Sequence, residues 1–177
     1  FTHAHPDHLW GVLDDFDDLA FPDAQFHIAR QEWNYWLDSK TMGRTDDARK
    51  SFVVGAQNRL PLLKEQVSLF NHGEEILPGI EAVATFGHTP GHMSFMLHSG
   101  TDSLLVVGDA IANAVVSFEY PSWPSVSDQN QALGVSTRLA LLDRLSQDKS
   151  VLVGYHLPAP GIGYVERDGK TYRFVAK

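Results

Sequence analysis

Four side chains able to bind a metal stand within six positions near the start of the chain: His3, His5, Asp7 and His8, in the pattern H-x-H-x-D-H. The whole chain has only 9 histidines in 177 residues, so this concentration points to chemistry rather than chance. Helical neighbours lie three or four residues apart, so His3 and His5 share a direction only on extended or loop backbone. The stretch therefore predicts a rigid loop that aims several donors at one point. There is no cysteine, which excludes disulfides and thiolate ligands and leaves imidazole and carboxylate as the donor set. Zinc is the default metal for such donors, and Mn, Fe or Co are also accepted.

Three later segments supply further donors. GHTPGH carries His88 and His92, LLVVGDA is an apolar run ending at Asp109, and VLVGYH is another ending at His156. A polar residue just past the C-terminal end of a buried strand is held rigidly at the mouth of a sheet, where ligands bind in α/β folds. Added to the opening cluster, His92, Asp109 and His156 bring the set to five histidines and two aspartates. That is too many for one tetrahedral ion. It suits two ions that share a carboxylate, roughly 3.5–4 Å apart, with a hydroxide bridging them. Metal binding lowers the pKa of water towards about 7, so no Ser or Cys nucleophile is required.

These donors need elements to position them. The length suits one domain with a sizeable core, and 43% hydrophobic with 20% charged residues is ordinary globular composition. A net charge of -8 argues against a nucleic-acid partner, which would need clustered Lys and Arg. No apolar run approaches the roughly 20 residues needed to cross a bilayer. Residues 24–29 alternate weakly as a strand, and RQEWNYWLD (30–38) has helical character. Thr45-Asp46-Asp47 reads as the start of a longer helix, with a kink or a fresh start at Pro61. GIEAVATF, MSFMLH, SLLVVGD and SVLVGY read as strands, and residues 127–147 as a helix carrying Leu133, Leu139, Leu142 and Leu145. YVERDGKTYRFV reads as a hairpin turning at Asp168-Gly169. The alternation predicts mixed α/β layering.

The pattern H-x-H-x-D-H, then T-P-G-H, G-D and a late strand-end histidine resembles the metallo-β-lactamase superfamily. FPDAQFHIARQEWNYWL, LPGIEAVATFGHTPGHMSFML, the stretch from GDAI to VVSF, and GIGYVERDGKTYRFV are similar to the methyl parathion hydrolase group and its quorum-quenching lactonase relatives. The resemblance implies an αββα sandwich, of which residues 1–177 form one domain's C-terminal portion; the abrupt start two residues before His3 implies strands upstream of Phe1. It implies that His3, His5 and His92 hold one metal, that Asp7, His8 and His156 hold the other, and that Asp109 bridges them. Asp7 and Asp109 are the catalytic carboxylates, Asp7 as a proton relay. Trp36 and Phe52 match aromatic positions of the leaving-group pocket, whereas Trp10 stands where such relatives often carry a small residue. The implied activity is zinc-dependent hydrolysis of uncharged esters, lactones such as acyl-homoserine lactones, or organophosphate triesters. The implied partner is that small molecule alone, with a homodimer compatible, in a soluble protein of the cytoplasm, periplasm or exterior.

Plainer readings apply elsewhere. His88 reads first as a structural hydrogen-bonding group and second as a residue that orients a ligand. His27, His72 and His98 read as surface or core residues, and the acidic run at Asp14, Asp15, Asp17 and Asp18 as a solvated face. Trp33, Tyr35 and Trp36 most simply pack a helix. Two rival functions are an iron-dependent redox or dioxygenase member of the superfamily, against which His5 argues, and a non-catalytic binding half-domain, against which the complete donor set argues.

Overall fold

Proline and glycine cut residues 1–71 into short elements around a largely aromatic and aliphatic core. In the computed structural model, which describes residues 1–177, these form one of two compact units; residues 72–177 form the other. The first helical turn, α1 (Pro6–Leu9), opens on a proline, whose missing N–H would be unpaired at that position anyway. Strand β1 (Phe26–Ala29) leads directly into α2 (Arg30–Leu37); α3 (Thr41–Arg44) and α4 (Lys50–Arg59) follow, and β2 (Val67–Phe70) pairs in parallel with β1. Leu9, Ile28, Trp36, Val53, Leu60 and Leu63 are completely buried and share one core cluster. Helix α4 starts later than Thr45-Asp46-Asp47 suggests. The Asp46 side chain caps nothing, and Asp47–Arg49 make a 3-10 turn before the α-helix begins. A fresh 3-10 turn, Leu60–Leu63, follows, with Pro61 near its start.

In the second unit, alternating side chains build a seven-stranded sheet in the order β3-β4-β5-β6-β7-β8-β9. Its strands are β3 (Glu75–Leu77), β4 (Ile80–Ala84), β5 (Met93–Ser99), β6 (Asp102–Val106), β7 (Val151–Val153), β8 (Ile162–Asp168) and β9 (Thr171–Ala176). All neighbours are antiparallel except β6 and β7, which run parallel and are joined through α5 (Val116–Glu119) and α6 (Gln131–Asp148). Register sets one apolar row across the sheet: Met96 lies opposite Leu105, and Leu105 opposite Leu152. Leu141, Leu142 and Leu145 of α6 and Phe118 of α5 cover that row. The turn at Asp168-Gly169 forms as expected, Gly169 taking φ 58°, a left-handed conformation that costs glycine nothing.

The expected strands and helices are all present. Elements absent from the sequence reading are mostly four residues or fewer, too short to show a period: α1, α3, α5, β2 and β3. Leu142 lies at the centre of the α6–sheet contact with no exposed surface. Leu142→Ala should therefore lose about 2–5 kcal/mol of stability, read as a reduced denaturation midpoint in urea.

Candidate metal-binding site

The opening motif is half extended and half helical, not a uniform loop. His5 is extended (φ -70°, ψ 162°) and caps α1, its carbonyl accepting from the backbone N–H groups of His8 and Leu9. The extended part gives His3 and His5 a common direction, and the helical turn swings His8 back towards them. The His3 and His5 rings meet edge to face at 4.6 Å, and those of His3 and His8 lie 4.2 Å apart. His3 and His5 are buried. Asp7 is 44% exposed and its carboxylate lies 3.5 Å from His8 Nε2. Residues 1–71 thus gather three imidazoles and one carboxylate.

A residue that sequence reasoning missed anchors this motif. Glu32 of α2 has no exposed surface. Its Oε1 accepts the backbone N–H of Ala4, between His3 and His5, at 3.0 Å and the indole N–H of Trp36 at 2.6 Å. The signal was present: Glu32 and Trp36 are four residues apart and so lie on the same helix face. Trp36 itself is completely buried. Its ring packs at 5.7 Å against His5 as a wall of the motif, and Phe52 stands 5.3 Å from the same imidazole. Trp36, expected from the sequence to line the leaving-group pocket, here packs against His5 with no exposed surface. Trp10 lies on α4, where a Cβ at Gly55 would come within 2.4 Å of the indole, with the Arg59 guanidinium 4.7 Å from the ring.

In the second unit, the loop between β4 and β5, the turn after β6 and the segment after β7 supply the donors. Asp109 sits in a 3-10 turn entered through Gly108, whose φ of 53° favours glycine. Its buried Oδ2 lies 3.3 Å from His88 Nε2 and 3.2 Å from His156 Nε2. Two imidazole nitrogens converging on one carboxylate oxygen make a pocket that attracts positive charge.

His92 does not join them. Its Nε2 accepts the Asp109 backbone N–H at 3.0 Å, which leaves the proton on Nδ1. That proton is donated to Thr85 Oγ1 at 2.8 Å. Thr85 in turn contacts Ser94 Oγ at 3.0 Å, and Ser94 donates to the Val107 carbonyl. Both ring nitrogens of His92 are thus engaged by protein groups. The sequence reading expects His92 among the metal donors; in the structure the histidine beside the carboxylate is His88, and His92 ties its loop to the backbone of Asp109.

A cleft of about 380 Å³ opens beside Asp109, lined in part by Val116, Trp123 and Val126 and floored by Asp128 and Arg138. Nitrogen and oxygen donors of this kind fit divalent ions such as zinc. No thiolate is available and none is needed.

Comparisons with known proteins identify the family and the fold. Residues 1–156 match the model of the metallo-β-lactamase superfamily. The chain belongs to that superfamily. An uncharacterised protein of Bacillus subtilis (strain 168), YobT, is 28% identical over 167 residues, 90% of this chain and 67% of that protein. The solved structure of the hydrolase AbOPH of the β-lactamase superfamily superposes with a TM-score of 0.91 at 28% identity. It matches 99% of this chain and 62% of its own. AidC, a dizinc quorum-quenching lactonase solved with N-hexanoyl-L-homoserine product, shares the fold with a TM-score of 0.90 at 24% identity, over 99% of this chain and 62% of its own. The chain thus spans less than two thirds of the length of these two structures. Its mixed α/β architecture is that of the metallo-β-lactamase fold. No helix is long and apolar enough to cross a membrane.

Glu32→Ala would leave the Ala4 and Trp36 donors buried without this acceptor. The expected loss is ~1–3 kcal/mol for each orphaned group. It should be measurable as a lower urea midpoint of the metal-free protein, with weaker zinc binding in a chelator competition.

Proposed function

We propose that this chain carries the catalytic face of a dinuclear metal-dependent hydrolase acting on uncharged esters, lactones such as acyl-homoserine lactones, or organophosphate triesters. In this reading His3, His5 and His88 hold one divalent cation, by default zinc, and Asp7, His8 and His156 hold the other. Asp109 is shared between them. The observation that carries the reading is the approach of His88 and His156 to the same Asp109 oxygen, at 3.3 and 3.2 Å. A carboxylate flanked by two imidazoles can serve two cations at once.

Bound metal of this type supplies a nucleophilic hydroxide at neutral pH and polarises the oxygen under attack. The chain's own residues do the rest. Asp109, fixed by Gly108 and by the bond from its N–H to His92, holds its carboxylate in place without rearrangement. Asp7, the most exposed donor and next to His8, is placed to carry a proton towards the leaving group. Val116, Trp123 and Val126 give the cleft beside Asp109 apolar walls, suited to an acyl or aryl group. Fixed anionic substrates are disfavoured by the chain's net charge of -8. The AidC lactonase supports the lactone arm of the proposal through its fold and its bound product.

The test uses full-length protein, with metal content measured by mass spectrometry and turnover against a lactone, an aryl ester, a β-lactam and a phosphotriester. Two equivalents of metal and turnover of the lactone, ester or triester are expected. Asp109→Ala should lose metal and lower kcat/KM by more than about 100-fold, beyond what changes around a ligand usually cause. Wild-type metal content and turnover in Asp109→Ala would overturn the shared-ligand role.

A further inference from the structure

His88 is gripped from behind. Its Nδ1 lies 3.2 Å from Asp128 Oδ1, and both residues are buried. Asp128 is balanced in turn by Arg138 of α6, whose Nη1 lies 3.9 Å from the other carboxylate oxygen. The guanidinium is itself pinned, donating from Nε to the Pro121 carbonyl at 2.9 Å and from Nη2 to the Trp123 carbonyl. Burial lowers the Arg138 pKa while the neighbouring Asp128 opposes that shift.

The backbones are tied as well. Gln129 N–H donates to the His88 carbonyl at 3.1 Å and Asn130 N–H to the Gly87 carbonyl at 2.9 Å. Thr137 donates its hydroxyl proton to the Phe86 carbonyl at 2.6 Å. Two glycines make the approach feasible. A Cβ at Gly87 would fall 2.4 Å from the Gly134 nitrogen, and one at Gly134 would fall 2.3 Å from Asp128 Oδ2.

From this arrangement we infer that Asp128 is a positioning residue for His88, fixing the proton on Nδ1 so that Nε2 presents its lone pair on the side of Asp109. The inference rests on the reading of His88 as a metal ligand. A carboxylate behind a ligating imidazole sets the tautomer, orients the ring and raises its basicity, and losing such a partner commonly weakens metal affinity 10–100-fold. Arg138 acts one step further back. Its charge faces the buried Asp128 carboxylate, which would be costly to leave unpaired inside the protein. The reach of α6 into the site is therefore electrostatic as well as structural.

The experiment measures zinc affinity by competition with a chromogenic chelator, together with the thermal midpoint of the metal-free full-length protein. The variants are Asp128→Asn, Asp128→Glu and His88→Ala. Asp128→Asn keeps shape and an acceptor but removes the charge. It should weaken zinc binding by about 10-fold or more while leaving the metal-free midpoint within a few degrees. Asp128→Glu restores the charge and should recover part of the affinity. Should Asp128→Asn fail to fold, Asp128→Glu carries the test alone, its displaced carboxylate giving an affinity measurably below wild type. His88→Ala separates the two claims. If it binds zinc as tightly as wild type, His88 is not a ligand and the functional reading fails at that residue. If it loses affinity while the Asp128 variants bind as wild type, the positioning role is overturned and the ligand role stands.

Discussion

One carboxylate oxygen organises the candidate donors of the second unit. Asp109 Oδ2 draws in His88 and His156 from two different loops, and its backbone N–H holds a third histidine, His92. Each of these groups follows the end of a strand in the same sheet, so the register of β4, β5, β6 and β7 determines where they meet. A slip of one residue in any of these strands would turn its side chains to the opposite face and carry the donors out of reach. The apolar row of Met96, Leu105 and Leu152 therefore guards the chemistry as well as the stability, because it makes the wrong register bury polar groups.

The opening motif solves the same problem without a long strand. Three imidazoles crowd together within residues 1–71, and the stretch that carries them is held from a neighbouring helix of the same unit. Glu32 supplies the hydrogen bond from α2 and simultaneously satisfies Trp36. Burying a carboxylate is costly unless its oxygens are hydrogen-bonded. Here one oxygen receives two N–H donors, and the charge lies next to a cluster of groups whose expected occupant is a cation. In both units a buried acid stands behind the histidines: Glu32 behind the opening motif and Asp128 behind His88.

Most of the proposed donors were legible because their signals are local. Closely spaced histidines and an aspartate, and polar residues closing apolar runs, can be read without knowing the fold. The choice between His88 and His92 could not be made that way. Both flank the same Thr-Pro-Gly turn, and spacing does not say which ring faces the carboxylate. The deciding groups are Thr85 and Ser94, hydroxyls at strand ends whose burial obliges them to find partners, and His92 is the partner they find. Trp36 shows the same limit. Its type marks it as important, but only the position of Glu32 on the same helix face shows that the indole turns into the core. Asp128 was illegible for a different reason: it lies 40 residues from His88, and nothing local in the sequence pairs the two.

Glycine placement ties these features together. Gly87, Gly134 and Gly55 each sit where an added Cβ would meet another group within 2.6 Å, so close approach, rather than flexibility, explains them. Gly87 and Gly134 bring the His88 loop against α6, and the resulting distance lets Asp128 and Arg138 act on the imidazole. A side chain at either position would separate loop from helix and loosen the ring, even though neither glycine touches a donor atom. Specific geometry at such a site therefore depends on what is omitted from the packing around it as much as on the histidines themselves. Asp128, just ahead of α6, and Arg138 on it can influence His88 only because two small residues leave them room to approach.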